Sequence, residues 1–294
     1  MPARPIPARP IPVLALALAL VCQPALVAAG PGERDVTLGG GALAGTLAQP
    51  DRPARGAVLL LHGFTGTRDE AASAPVPRGL LGHTADRLAE AGWTSLRIDF
   101  RGSGESLRDL TFAETTIEGQ VGDALAASAW LAERTDGPLV LLGFSQGGMV
   151  AALAAGRSEG IDAVVLWNAV ADPQATYGAL FPPGTLARMA AAPGGAVAPV
   201  PGTDLSLGRD FFAGLAALDP PGALAAFDGP LLVAQGQSDG VVAPASAQAF
   251  LAAHEGRELF VPVEAGHALG IGAGAGALDA LIDATLAFLP AGIP

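Results

Sequence analysis

The sequence predicts an α/β domain, a mostly parallel central sheet with helices on both faces and a long insertion before its last strands. Three observations predict it. Apolar runs of strand length alternate with stretches of helical spacing, the pattern of βαβ units joined by right-handed crossovers. The run Ala57–His62 is continuous rather than alternating, as expected of a strand buried on both faces. Between Trp167 and Pro230 lie about sixty residues, where a crossover needs little more than a dozen.

Taken in order, Asp35–Leu38 and Ala42–Ala48 flank Gly39-Gly40-Gly41 and read as an opening hairpin. Strand Ala57–His62 follows a turn-rich loop, then comes a helix over Leu80–Ala91 and a strand over Thr94–Asp99. Phe112–Arg134 holds a long helix. Leu139–Leu142 and Asp162–Trp167 are strands on either side of the helix that starts after Ser145. The insertion, about 171–228, contains Pro182-Pro183, Pro193-Gly194-Gly195 and Pro220-Pro221, so its helical pieces are short. Its Phe181, Phe211 and Phe212 argue against disorder, and it reads as a lid over a site at the strand ends. Strands Leu231–Gln235 and Glu258–Val263, separated by helix Ala245–His254, precede a closing amphipathic helix over Leu278–Leu289.

At 294 residues the chain has ample length for a core. Its net charge is −12, and all 16 basic residues are arginine. An acidic chain without a basic cluster is expected to bind neither nucleic acid nor an anionic membrane surface. Arg4 and Arg9 precede an apolar stretch from Ile11 to Val21, and then come Ala28-Ala29-Gly30. That is the layout of a signal peptide over 1–29, too short in its apolar part to span a bilayer. The expected location is therefore periplasmic or extracellular. The one cysteine, Cys22, falls inside this segment, so export here needs no disulfide.

Gly143-Phe144-Ser145-Gln146-Gly147 sits between a strand and a helix. A serine on so tight a turn is pushed clear of both elements, and the helix start aims free N–H groups at the same place. The motif also occurs at Gly236-Gln237-Ser238-Asp239-Gly240. With 40 glycines and ten serines, chance alone yields roughly 0.2 copies, so context has to choose between them. Ser238 is followed by Val241-Val242-Ala243-Pro244, which delays any helix, and is read as a turn residue. Ser145 is the candidate nucleophile.

A serine hydroxyl needs a neighbouring base. Of four histidines, His62 ends a buried strand and shapes a turn, and His83 lies near the start of a surface helix. His254 ends a helix, where a cation suits the dipole. His267 follows the last strand on a glycine-loosened loop and is the candidate base. The acid that fixes its tautomer is Asp239, after strand Leu231–Gln235, in the chain order Ser, Asp, His. Asp172, after the preceding strand, is the alternative acid, and Glu264 is placed on the strand itself, pointing elsewhere. The backbone N–H groups of Gln146 and Phe64 are the candidate oxyanion donors. No His/Cys cluster has metal-ligand spacing, and no cofactor is implied. Gly272-x-Gly274-x-x-Ala277 superficially fits a dinucleotide fingerprint, but too little chain follows it for a βαβ unit.

Leu61-His62-Gly63-Phe64-Thr65-Gly66, Asp99-Phe100-Arg101-Gly102-Ser103-Gly104-Glu105-Ser106, Gly143–Gly148, Asp239 and Gly266-His267 resemble the α/β-hydrolase superfamily. The resemblance runs from about residue 35 to the end and places a hydrolase domain over 30–294. Within the superfamily the chain is similar to the bacterial feruloyl (cinnamoyl) esterases, which combine an H-G-F-T-G loop, S-Q-G-G and an inserted lid. The resemblance implies a Ser145–Asp239–His267 triad, an oxyanion hole at Phe64 and Gln146, and a small or aryl carboxylic ester as substrate. Many relatives have histidine where this chain has Phe144, which bears on packing behind the serine. Thioester, amide or C–C hydrolysis and acyl transfer are alternatives on the same triad, and a non-catalytic binding protein is a further one.

Overall fold

The computed structural model describes residues 32–290, so the expected signal peptide over 1–29 lies outside the described residues. The main sheet has eight strands. In chain order these are β1 (Glu33–Leu38), β2 (Leu43–Ala48), β3 (Ala57–Leu61), β4 (Thr94–Ile98), β5 (Leu139–Phe144) and β6 (Ala163–Trp167), then β9 (Leu231–Gly236) and β10 (Glu258–Val263). Two short strands, β7 (Val197–Pro199) and β8 (Ser206–Gly208), form a separate antiparallel pair inside the insertion. The spatial order of the main sheet is β1-β2-β4-β3-β5-β6-β9-β10. β1 and β2 pair antiparallel, β2 is antiparallel to β4, and every other pairing is parallel.

Burial on both faces explains the continuous apolar runs. Leu59, Leu61, Leu141, Val164 and Leu166 face one core, while Val58, Leu60, Val140, Leu142 and Val165 face the other. Helices α1 (Gly79–Glu90) and α9 (Gly276–Phe288) cover the second face through Leu80, Leu81, Leu281 and Ile282. Arg87 on α1 also bonds Asp279 and Asp283 on α9 at 2.8 and 2.6 Å. Helices α2 (Ile117–Ala132), α3 (Gln146–Ala155) and α8 (Ala245–Ala253) cover the first face.

The stretch Phe112–Arg134 holds its long helix, α2, without being filled by it. Thr111 and Glu114 close a capping box around a single 3-10 turn over Phe112–Glu114. The long helix begins only after Thr116, whose hydroxyl accepts from the Gly119 N–H at 3.0 Å.

The insertion between β6 and β9 carries four short helices: α4 (Pro173–Leu180), α5 (Thr185–Ala190), α6 (Arg209–Leu215) and α7 (Pro220–Leu224). It is docked rather than loose. Tyr177, Phe181, Phe211 and Phe212 are buried in the first core together with residues of α2 and α3. Among the described residues no helix is long and apolar enough to cross a membrane.

Candidate active site

Parallel strands deliver their loops to one rim, and the site is assembled there from the loops after β3, β5, β9 and β10. Ser145 follows β5 directly and is the residue before α3, with φ 55° and ψ −116°. That left-handed backbone is strained for a non-glycine residue and lifts the side chain out of the strand. The turn closes only because its glycines lack Cβ atoms. A Cβ on Gly143 would collide with the backbone of Gly147, and one on Gly147 with the carbonyl oxygens of Leu61 and His62.

The three candidate side chains meet. His267 Nε2 lies 2.9 Å from Ser145 Oγ, and its Nδ1 lies 2.8 Å from Asp239 Oδ2. A carboxylate oxygen only accepts, so Nδ1 carries the proton and Nε2 faces the serine hydroxyl as an acceptor. The Asp239 carboxylate is itself fixed. Its Oδ1 accepts from the N–H groups of Val241 and Val242 at 2.8 and 2.9 Å, and the Gln235 amide donates to Oδ2 at 3.2 Å.

The alternative residues go elsewhere. Asp172 is exposed and caps α4, accepting from the Ala175 N–H at 2.9 Å. Glu264 lies one residue past the end of β10, exposed. Ser238 is an exposed turn residue, as read from the sequence. His254, which ends α8, is turned inward. Its side chain is buried, lying 2.9 Å from the Gly229 carbonyl and 3.2 Å from Glu258, and so ties α8 to the segments before β9 and in β10.

Phe64 and Gln146 both lie against the serine, one on the loop after β3 and one at the first position of α3. Among the described residues neither N–H donates a hydrogen bond, so both are available to an incoming anion. His62 orders the Phe64 loop. Its Nε2 accepts from the Phe100 N–H at 3.2 Å, which leaves Nδ1–H to donate to the Gly63 carbonyl at 2.8 Å. Burial holds its pKa below the ordinary value, with Asp99 and the Gly63 carbonyl pulling the other way, in keeping with a neutral ring.

The pocket over Ser145 is a cavity of about 90 Å³ lined by Phe64, Phe144, Val170, Tyr177, Leu180 and Val241 among others. The Phe144 ring has its centroid 5.1 Å from that of His267. From the insertion, Tyr177 meets Phe64 edge-on at 5.4 Å and Phe211 stacks on it at 6.1 Å. The Tyr177 hydroxyl also donates to the Gln146 side-chain oxygen, and the Gln146 amide donates to Gln120 on α2 at 2.8 Å. Burial pushes the Tyr177 pKa above its ordinary value, keeping it a donor.

Sequence reasoning missed three contributors. Asn168, at φ 48°, accepts from the Gly236 N–H and donates to the His267 carbonyl, both at 2.7 Å, and so braces the histidine loop. Its signal was an asparagine directly after a strand, a residue that tolerates left-handed backbone. Tyr177 was hidden in a segment without periodicity. Glu70 lines the pocket although it is 7% exposed, and it sits in a polar stretch that reads as an ordinary surface turn. Among the described residues no group of three or more His, Cys, Asp or Glu is arranged to hold a metal ion.

A family model described as the alpha/beta hydrolase fold matches residues 56–198. No curated protein matches the chain. Among solved structures it is similar to Est1E from Butyrivibrio proteoclasticus with ferulic acid bound, at TM-score 0.66 and 20% identity, covering 84% of this chain and 93% of that one. It is also similar to the esterase domain of a Rhodothermus marinus protein, at TM-score 0.63 and 22% identity, covering 87% and 95%. A structure from work on the metagenome-derived lipolytic enzymes LipS and LipT matches at TM-score 0.61 and 22% identity, covering 89% and 98%. At these identities the likeness speaks to fold, and with the strand order and the matched family model it supports one conclusion: the chain has the α/β-hydrolase fold, similar in structure to an Est1E that holds ferulic acid.

Proposed function

We propose that the protein is an exported serine esterase that cleaves small or aryl carboxylic esters through an acyl-enzyme. The observation that carries the reading is the unbroken chain from Asp239 through His267 to Ser145, at 2.8 and 2.9 Å. His267 Nε2 takes the hydroxyl proton as Ser145 Oγ attacks the ester carbonyl carbon. The carbonyl oxygen becomes an anion and is met by the Phe64 and Gln146 N–H groups. Collapse of the tetrahedral intermediate breaks the bond to the alcohol oxygen, which leaves with the proton held by His267. Water then repeats the sequence on the acyl-serine, releasing the acid and restoring the hydroxyl. Asp239 stays ionised throughout and stabilises the imidazolium.

The apolar, roughly 90 Å³ cavity supports a short or flat acyl group, and the insertion is read as a lid that sets its size. Export rests on the sequence of residues 1–29. The test is hydrolysis of p-nitrophenyl esters by the wild type and by Ser145→Ala. Turnover by the variant should fall by about 10⁴-fold or more, as loss of a triad nucleophile does. Undiminished hydrolysis by the variant would rule the esterase reading out.

A further inference from the structure

Glu70 has a place in the site that the mechanism above does not use. It is nine-tenths buried, lines the same pocket as Ser145, and its Oε2 accepts from the Gly63 N–H at 2.6 Å. Glu70 and Ala71 both have φ 51°, two adjacent non-glycine residues in left-handed backbone. Strain of this kind persists where the surroundings impose it, and here it accompanies a carboxyl turned inward from a polar turn.

We propose that Glu70 is a positioning residue of the oxyanion loop, holding Gly63 so that the next N–H, that of Phe64, faces the reacting carbonyl. The inference rests on the esterase reading and deepens it. Gly63 joins two peptide planes, and without a side chain its φ and ψ are loosely restrained. The plane after it is held by its carbonyl, which accepts from His62 Nδ1 at 2.8 Å and from the Gly66 N–H at 3.2 Å. The described chain has no cis peptide bond, so the Phe64 N–H of that plane points away from those two donors. Among the described residues, the one hydrogen bond to the plane before Gly63 is that from the Gly63 N–H to Glu70. Remove the carboxyl and the plane before Gly63 loses that bond, so only the two bonds to the Gly63 carbonyl resist a turn about φ that would shift the Phe64 N–H.

Gly66 shows how closely the brace is fitted, since a Cβ there would collide with the Glu70 carboxyl. Burial pushes that carboxyl up to about 7, against the pull of the Gly63 N–H. The other titratable side chains lining the pocket are Tyr177 and His267.

The test compares wild type, Glu70→Ala, Glu70→Gln and Gly66→Ala in kinetics on p-nitrophenyl acetate and in binding of an aryl trifluoromethyl ketone. That ketone forms a tetrahedral adduct with the serine and uses the oxyanion donors. Glu70→Ala should lose about 10- to 100-fold in kcat with KM within about twofold, the size expected from misplacing one donor. Its affinity for the ketone should fall by the same factor as kcat/KM. Gly66→Ala, which displaces the carboxyl without removing it, should lose turnover similarly. Glu70→Gln retains an acceptor for the Gly63 N–H and should stay within about fivefold of wild type. Wild-type kcat in Glu70→Ala would overturn the inference. So would a loss of turnover in Glu70→Ala that tracks a fall in Tm while ketone affinity is unchanged. If Ser145→Ala is inactive and Glu70→Ala is normal, only this inference fails. If Ser145→Ala is fully active, the esterase reading fails with it.

Discussion

A few side chains carry the account at the scale of single residues, and each has a separable consequence. Asp239→Asn keeps the shape of the acid but forces the wrong tautomer on His267, so kcat should fall about 10⁴-fold with little loss of stability. Asp172→Ala should leave kcat intact and cost about 1 kcal/mol, because the structure gives that side chain a helix cap rather than a place beside the histidine. The pair of measurements assigns the acid without reference to sequence order. Glu70 makes a different prediction, on stability. Its carboxyl pKa in the folded protein is pushed from 4.5 up to about 7 by burial, so the folded state holds this proton longer than the unfolded chain does. The group therefore lowers stability as pH rises from 4.5 to about 7 and has no further effect above that. Chemical denaturation of Glu70→Gln beside wild type should show the variant gaining relative stability across that window, by at most about 3 kcal/mol. A constant difference from pH 4 to pH 8 would mean the carboxyl is not held in an apolar setting.

Among the elements, the insertion decides most. Its contact with the site is specific: Tyr177 on α4 bonds the side chain of Gln146, whose N–H is a proposed anion donor, while the aromatic residues of α4 and α6 pack on Phe64. Tyr177→Phe preserves that packing and leaves the Gln146 oxygen without its donor, which should cost about 1–3 kcal/mol of stability. Leu180, also on α4, lines the cavity. Leu180→Ala should raise kcat/KM for octanoate relative to acetate in a p-nitrophenyl series. An unchanged ratio would place the acyl chain elsewhere. The elements also show where the sequence was legible. Strands β3, β5 and β6 could be read because both of their faces are buried and every position is apolar. The insertion could be read only as an interruption. Its helices are five to eight residues long, too short to display a period, and the β7–β8 pair has three residues a side.

Taken as a whole molecule, the site is a property of topology. Ser145, Asp239 and His267 are separated by up to 122 positions, yet each follows a parallel strand of one sheet, so their loops share a rim. That much was legible, because a serine on a strand-to-helix turn and a histidine after the last strand are placed by chain order and local spacing. The supporting contacts were not, because they are made across the fold. Asn168 reaches the His267 loop 99 positions away, and Glu70 sits in a stretch of polar residues where a buried carboxyl has no local mark. The order of the β strands at the far edge was also set by pairing rather than by local pattern: β10 is the outermost strand, and Leu259 and Phe260 on it are exposed.

The central claim is that the hydroxyl of Ser145 is activated by His267. Peptide mapping after reaction with a fluorophosphonate tests it most directly, in wild type and in Asp239→Asn run side by side. A single adduct on Ser145 is expected, formed far more slowly in the variant. An adduct on Ser238, or equal labelling rates in the two proteins, would contradict it.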